Sequence, residues 1–294
     1  MNKFSESMPA DTTSARYLII GQGDIGLAVT NTLARQQKNV TGLARGEKQS
    51  YALHEEAHFL QADALKLSAE QIKEITHIAI VVTPDNYDAE NYKNTYLGIA
   101  QHIADLESQL PQLKRVVFIS STGVYGQDNG EWIDETVEPK PAKREGSKYI
   151  LQAEQVLQQA YGSRAVIIRP SGIYGEERLM RIRQVKEKQL EALPQYDWTN
   201  RIMDTDLVTI IVQILSLSDA EKVRSIYLAT DYAPVTSFEL TSWLATELNS
   251  NQPTLQVSNE DKPMSGKRLH SNIPRDWLQF PDWQSGYAHI LKAK

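Results

Sequence analysis

The sequence predicts an α/β protein built on a doubly wound parallel sheet of about seven strands, with a smaller C-terminal lobe. Three observations predict it. Short aliphatic runs alternate with helix-like segments along most of the chain. These runs lack the period-2 alternation of a half-exposed strand, as expected where helices cover both faces of a sheet. The first run, Tyr17–Ile20, leads straight into Gly21-x-Gly23-x-x-Gly26 and then a helix-capable segment, LAVTNTLARQQ.

Taken in order, strand-like runs fall at Tyr17–Ile20, Val40–Ala44, Ala57–Leu60, His77–Val82, Arg115–Ser120, Ala165–Arg169 and Ser225–Leu228. Helix-like segments lie between most of them, among them Asn91–Leu110 and Ser147–Gln159. Residues 1–16 are polar and without an apolar stretch, and read as a disordered tail rather than a secretory signal. After Gly172 the regularity fails: Glu176–Glu191 reads as a highly charged helix, and Pro194–Asp204 is irregular. The expected organisation is a nucleotide-binding domain over 17–171 and a substrate lobe over 172–224 and 234–294. The seventh strand, near 225–229, returns to the sheet between the two lobe pieces.

Composition excludes several classes of function. The 294 residues include no cysteine, which removes disulfides, thiol nucleophiles and cysteine-bound zinc. A net charge of −6 argues against a general nucleic-acid binder. The longest aliphatic run, Ile78–Val82, is far too short to span a bilayer. Of the six histidines, His54 and His58 alone share helical spacing, and they read as an exposed helix face rather than a metal site. No metal is expected, and a cytoplasmic protein acting on a small molecule is.

The glycine turn carries the first chemistry. Gly21, Gln22, Gly23, Asp24, Ile25 and Gly26 join a buried strand to a helix N-terminus, whose free N–H groups and dipole favour a pyrophosphate. Gly21 allows the turn, Gly23 allows close approach of the anion, and Gly26 allows tight packing of helix on strand. A plain strand–turn–helix connection is the alternative. At the end of the second strand stands Arg45, with no acid before Glu47. A guanidinium there suits a 2′-phosphate and favours NADP(H) over NAD(H), unless Arg45 is an exposed arginine in a polar turn. Asp63 follows the third strand, where it reaches an adenine ring or caps a turn.

Two later strands end in nearly the same string. RVVFISSTGVYG (115–126) closes on Ser121, Thr122 and Tyr125, and VIIRPSGIYG (166–175) follows the same pattern. Both ends belong at the carboxyl edge of the sheet, where doubly wound folds build their ligand crevice.

With the glycine motif, these segments, TNRIMDTDL (199–207) and SGKRLHSNIP (265–274), the chain resembles the NAD(P)-dependent epimerase/dehydratase group. That group is an extended, partly atypical branch of the short-chain dehydrogenase/reductases, with a Rossmann-type fold and largely nucleotide-sugar substrates. The resemblance implies that Thr83 and Pro84 pass the nicotinamide ribose and that Pro170 lies beside the nicotinamide. It implies a substrate-binding hydroxyl at Ser121 or Thr122, and substrate contacts from Tyr125, Asn200 and Arg201. Arg201 could equally form an ion pair with Asp204 or Asp206. Family members often pair as homodimers through two helices.

One departure stands out. The group's Tyr-x-x-x-Lys dyad, in which a lysine lowers the pKa of the proton-carrying tyrosine, has no counterpart here. Counting back from Glu154 gives Gly146 and Ile150 at the two positions, and none of the 13 tyrosines has lysine four residues on. Three readings follow. One is an epimerase/dehydratase with a rearranged acid/base, drawn from Tyr125, Lys148 or Tyr149. The others are an NADPH-dependent reductase and a non-catalytic NADP(H)-binding sensor.

Overall fold

The structure, a computed structural model, describes residues 15–47, 52–140, 142–187, 192–217, 223–256 and 264–293. Most of the tail expected over 1–16 and part of the charged helix expected over 176–191 lie outside them. Arg16, placed at the end of that tail by sequence, instead opens the first strand.

Seven strands make one parallel sheet: β1 (Arg16–Ile20), β2 (Asn39–Ala44), β3 (His58–Gln61), β4 (His77–Ile80), β5 (Arg115–Ile119), β6 (Ala165–Pro170) and β7 (Ile226–Ala229). Their order across the sheet is 3-2-1-4-5-6-7. This is the Rossmann-type α/β fold expected from sequence. The order reverses direction between β1 and β4, which places the crevice of a doubly wound fold beside the glycine turn. His58 opens β3 rather than continuing a helix, so the i,i+4 pairing with His54 does not arise.

Apart from the edge strand β3, the strands alternate between two apolar clusters rather than between core and water. Leu18, Ile20, Ile78, Ile80, Phe118 and Ile167 face one side. Tyr17, Ile19, Ala79, Val117, Val166 and Ile168 face the other. Both faces are apolar, so the strands read as continuous runs. Helix α1 (Asp24–Arg35) and helix α5 (Asp204–Ser216) cover the second face. The first face is covered by the helix over 89–105, α2, and by α3 (Glu145–Tyr161). Lys93–Gly98, inside α2, is a π-helical segment, a local widening that occurs often near functional sites.

A third cluster builds the smaller lobe from α4 (Met180–Lys186), α6 (Ser237–Glu247) and α7 (Trp283–Lys292), with Tyr174, Met203 and Val235 between them. Two small sheets join the lobe to the main body. Gly172–Tyr174 pairs with Arg201–Met203. Glu131–Ile133, inserted after β5, joins Ser265–Leu269, Asp197–Thr199 and Val235–Thr236. Helix α5 lies within the 172–224 segment yet packs on the main sheet beside α1. No helix among the described residues is long and apolar enough to cross a membrane.

A buried ionic network fixes α3 against the carboxyl ends of β5 and β6. Glu154, 1% exposed, receives Arg169 Nε at 3.0 Å and Nη2 at 2.6 Å, and also the Ser120 hydroxyl. Arg169 gives its third hydrogen bond to the Tyr125 hydroxyl at 2.6 Å. Removing one partner of such a pair leaves a bare charge in the core. Glu154→Ala is therefore expected to destabilise the protein by about 3–5 kcal/mol, read by denaturant unfolding. A loss below about 1 kcal/mol would mean that water reaches the network.

Candidate active site

The turn after β1 is shaped by contacts that leave no room for side chains. Gly21 has φ +97°, donates its N–H to Leu43 O at 2.9 Å, and would place a Cβ 2.2 Å from Val81 O. A Cβ on Gly26 would stand 2.0 Å from Gly21 O. Gly23 differs. It is the N-cap of α1 with ordinary extended backbone, and a Cβ there would meet nothing within 4 Å. Only an outside group needs that space empty, and the first-turn N–H groups of α1 border it.

Gln22 does not face this space. Its side chain turns inward, donating to Ile19 O at 3.0 Å and Gly21 O at 3.1 Å, and rests on Gly42, where any Cβ would collide with it. Its contribution to a ligand is through its backbone. Asp24, in the first turn of α1, pairs with Arg178 at 3.1 Å, and Ile25 lines the cavity beside them.

Two cavities meet at Gly23. One, of about 520 Å³, runs along the ends of β1, β2 and β4 past Arg45, Asp63 and Asp85. The other, of about 140 Å³, is bordered by Gly23, Thr83, Ser120, Pro170 and Arg178. Together they give an elongated groove with an anion cradle in its middle, a form that fits a dinucleotide. Asp63 both lines the groove and caps a turn, accepting from Leu65 N at 3.0 Å. Arg45 donates to both carboxylate oxygens of Asp85. Pro84 is buried and lines neither cavity.

A third and larger cavity, about 920 Å³, is lined by Ser121, the chain neighbour of the groove's Ser120. The strand end thus divides a cofactor-sized groove from a substrate-sized cleft. Ser121 lines the cleft while its Oγ accepts from Gly123 N at 3.0 Å. Thr122 is half-buried and does not line it. Ser147, Arg144 and Lys267 contribute polar groups. The Lys267 amine donates to Tyr125 O at 2.9 Å, and burial lowers its pKa against the opposing pull of Asp128 and Glu131.

Three residues expected here have their polar groups engaged or turned away within the protein. The Tyr125 hydroxyl lies in the core, held by Arg169 and directed at Asp134 O at 3.4 Å. Burial raises its pKa, with Arg169 opposing. Tyr125 borders the cleft, but its hydroxyl is already engaged by these core partners. Asn200 braces the strand Ser265–Leu269, donating to Lys267 O and accepting from Leu269 N, both at 2.9 Å. The Arg201 guanidinium lies buried against Gly172, outside the cleft, with Nε and Nη2 unpartnered. It pairs with neither Asp204 nor Asp206. Asp206 instead accepts from Gln279 N and Phe280 N at 2.9 and 3.0 Å, tying α5 to the lobe.

At the dyad positions, Ile150 is buried in the first-face core, and Gly146 lines the cleft. Lys148 is exposed, Tyr149 directs its hydroxyl to Glu145, and neither lines the cleft. The ring of Tyr92, from α2, lies on Gly146, and a Cβ there would stand 2.6 Å from Tyr92 Cδ1. Tyr92 lines the cleft with Ser121 and Ser147, and no described residue engages its hydroxyl. Sequence reasoning missed it because it searched for the phenol on α3. The signal was the glycine in the first turn of α3, whose missing side chain makes room for the ring.

The comparisons fit this geometry. The family model described as NAD dependent epimerase/dehydratase family matches residues 17–241. The chain belongs to that family. Among solved structures, a Methylobacillus flagellatus protein described provisionally as an NAD-dependent epimerase/dehydratase is 29% identical, with TM-score 0.74 over 96% of this chain and 99% of that one. DesIV, a dTDP-glucose 4,6-dehydratase from Streptomyces venezuelae solved with NAD and TYD, is 18% identical (TM-score 0.71; 94% and 96% covered). A UDP-glucuronic acid 4-epimerase from Bacillus cereus, in complex with NAD, is 16% identical (TM-score 0.72; 94% and 99% covered). These last two share the fold. No curated protein matches the chain.

The glycines separate binding from folding. Gly23→Val is expected to abolish dinucleotide binding by calorimetry while the melting transition stays within a few degrees of the parent. Gly26→Val should instead fail to fold or melt far lower; equal behaviour of the two would remove the cradle.

Asp231, beside Arg201, makes a pH prediction. Burial pushes its carboxyl up to about 8 from an ordinary 3.8, although Ala233 N and Arg201 favour the ionised form. Between those values the folded state keeps a proton that the unfolded chain has released. Stability should therefore fall as pH rises through that window. Asp231→Asn should flatten the slope and, at pH 8, stabilise by about 2 kcal/mol in denaturant unfolding. An unchanged slope would show that Asp231 ionises normally.

Proposed function

We propose that the chain binds a nicotinamide dinucleotide, NADP(H) in preference to NAD(H), and carries out epimerase/dehydratase-type redox chemistry on a nucleotide sugar or a related small molecule. The observation that carries this reading is the meeting of groove and cleft at Ser120 and Ser121. One end of the groove, lined by Thr83 and Pro170, takes in Ser120, and the next residue of the same strand end, Ser121, lines the cleft.

The residues present fit the cofactor. The backbone at Gly21–Gly26 and the first turn of α1 would hold the pyrophosphate, Asp63 and Arg45 the adenosine end, and Thr83 with Pro170 the nicotinamide end. Bound there, the nicotinamide supplies or accepts a hydride. The chain's own side chains do the rest. The Ser121 hydroxyl donates a hydrogen bond to a substrate oxygen. Tyr92, whose hydroxyl has no partner among the described residues, gives or takes the proton at that oxygen through its Oη. Arg144 and Lys267 favour an anionic substrate such as a sugar diphosphate.

A second reading, a non-catalytic NADP(H)-binding module, draws on Ile150. The helix position that would carry a lysine amine is buried and apolar, so no cation from it assists a phenol.

The test begins with thermal unfolding in NADP(H) and NAD(H). A cofactor at a hundredfold excess over its Kd should stabilise by about 2.7 kcal/mol, and absence of any shift would sink the reading. The cofactor-loaded protein would then be mixed with UDP-glucose, UDP-glucuronic acid and dTDP-glucose while nicotinamide absorbance is followed. Tyr92→Phe, and separately Ser121→Ala with Thr122→Val, should keep cofactor affinity within about twofold and lower turnover by about a hundredfold or more. Cofactor binding without turnover on a broad substrate panel would favour the non-catalytic reading.

A further inference from the structure

The adenosine end of the groove holds a charge pair that the strand order creates. Arg45 stands just beyond β2, and Asp85 stands beyond β4, on the other side of β1. Both line the same cavity as Gly21 and Gly23. Arg45 Nη2 donates to Asp85 Oδ1 at 2.8 Å and to Oδ2 at 2.7 Å. Arg45 is the cation among the described residues lining that cavity. The other acid there, Asp63, already accepts from Leu65 N.

Dinucleotide sites distinguish their cofactors at the adenosine ribose. A carboxylate accepts from the 2′-hydroxyl, and a guanidinium pairs with a 2′-phosphate. Strand β2 ends in the guanidinium alone. Asp85 brings a carboxylate to the same place from another strand and engages the guanidinium through Nη2. A 2′-phosphate pairing with Arg45 therefore shares or competes for it and lies near a like charge. A free ribose hydroxyl meets an acceptor and leaves the pair in place.

We propose that Asp85 is a cofactor-selecting residue: it holds Arg45 across the groove, restrains the NADP(H) preference that Arg45 confers, and keeps the site open to NAD(H). This rests on the dinucleotide reading of the groove. The pair is well exposed, 66% for the arginine and 59% for the aspartate side chain, so it exchanges readily and sets a ratio of affinities rather than a barrier.

The test is a calorimetric titration of the whole chain with NADP+ and NAD+ in low salt, for the parent, Asp85→Asn and Arg45→Gln. Asp85→Asn keeps the size of the side chain and removes its charge. The ratio Kd(NAD+)/Kd(NADP+) should rise about three- to tenfold in Asp85→Asn and fall by a similar factor in Arg45→Gln. Raising the salt to 0.5 M should shrink both changes, whereas a shape effect would persist. Circular dichroism and melting curves check that each variant folds. If both cofactors bind and Asp85→Asn leaves the ratio unchanged, the pair is an ordinary surface contact and the proposal fails alone. If the ratio moves toward NAD+, Asp85 acts in the opposite sense and the proposal also fails. If the parent binds neither cofactor, the dinucleotide reading fails and takes the proposal with it.

Discussion

The ion pair between Glu154 and Arg169 is the interaction on which the cleft depends. It lies where α3, β5 and β6 converge, and its two partners are almost fully withdrawn from water. Desolvating two charges is costly, and attraction offsets that cost only when the hydrogen-bonding geometry is good. Here both carboxylate oxygens and three guanidinium nitrogens are used, with Ser120 and Tyr125 taking the remaining capacity. The network therefore fixes two strand ends and one helix relative to each other. Ser120 borders the groove and Ser121 the cleft as a direct consequence. Such a network contributes position more than net stability.

Around that fixed point the site separates into parts with different physical demands. The glycine turn is a matter of exclusion: Gly21 and Gly26 are hemmed in by backbone, while the open space at Gly23 is meaningful only in the presence of a ligand. The adenosine end is a matter of charge placed on flexible, exposed side chains, where energies are small and salt-dependent. The cleft is a matter of hydroxyls held by short-range structure. Ser121 is fixed by the turn it caps, and Tyr92 by the glycine under its ring.

The missing dyad takes on a different meaning in this setting. The helix expected to carry it is present and 17 residues long, and its apolar face packs Ile150 and Leu157 into the core. Its first turn carries Gly146, and a ring from the neighbouring helix fills the space beside it. The π-helical segment begins immediately after Tyr92, at Lys93, and widens α2 beside the cleft. A phenol supplied from α2 carries no lysine one turn away on its own face. Cations that line the same cleft, Arg144 and Lys267 among them, come from other segments of the chain.

The sequence by itself determined the strands, the parallel sheet and the turn at Gly21–Gly26. Each is a local or periodic property: aliphatic runs buried on both faces, and glycines where backbone atoms approach too closely for a Cβ. It also located Arg45, Asp63, Thr83, Pro170 and Ser121 at the groove and cleft, because strand ends follow from strand positions. The tertiary structure decided where long side chains point. Gln22 turned inward over Gly42, Tyr125 into the core toward Arg169, and Arg201 against Gly172. All three were drawn by partners or gaps remote in the chain. The same holds for Tyr92 on Gly146 and Asp85 on Arg45, which come together only when α2 packs on α3 and β4 lies beside β1. A contact between distant segments leaves no periodicity and no fixed spacing in the sequence, so only the folded chain reveals it.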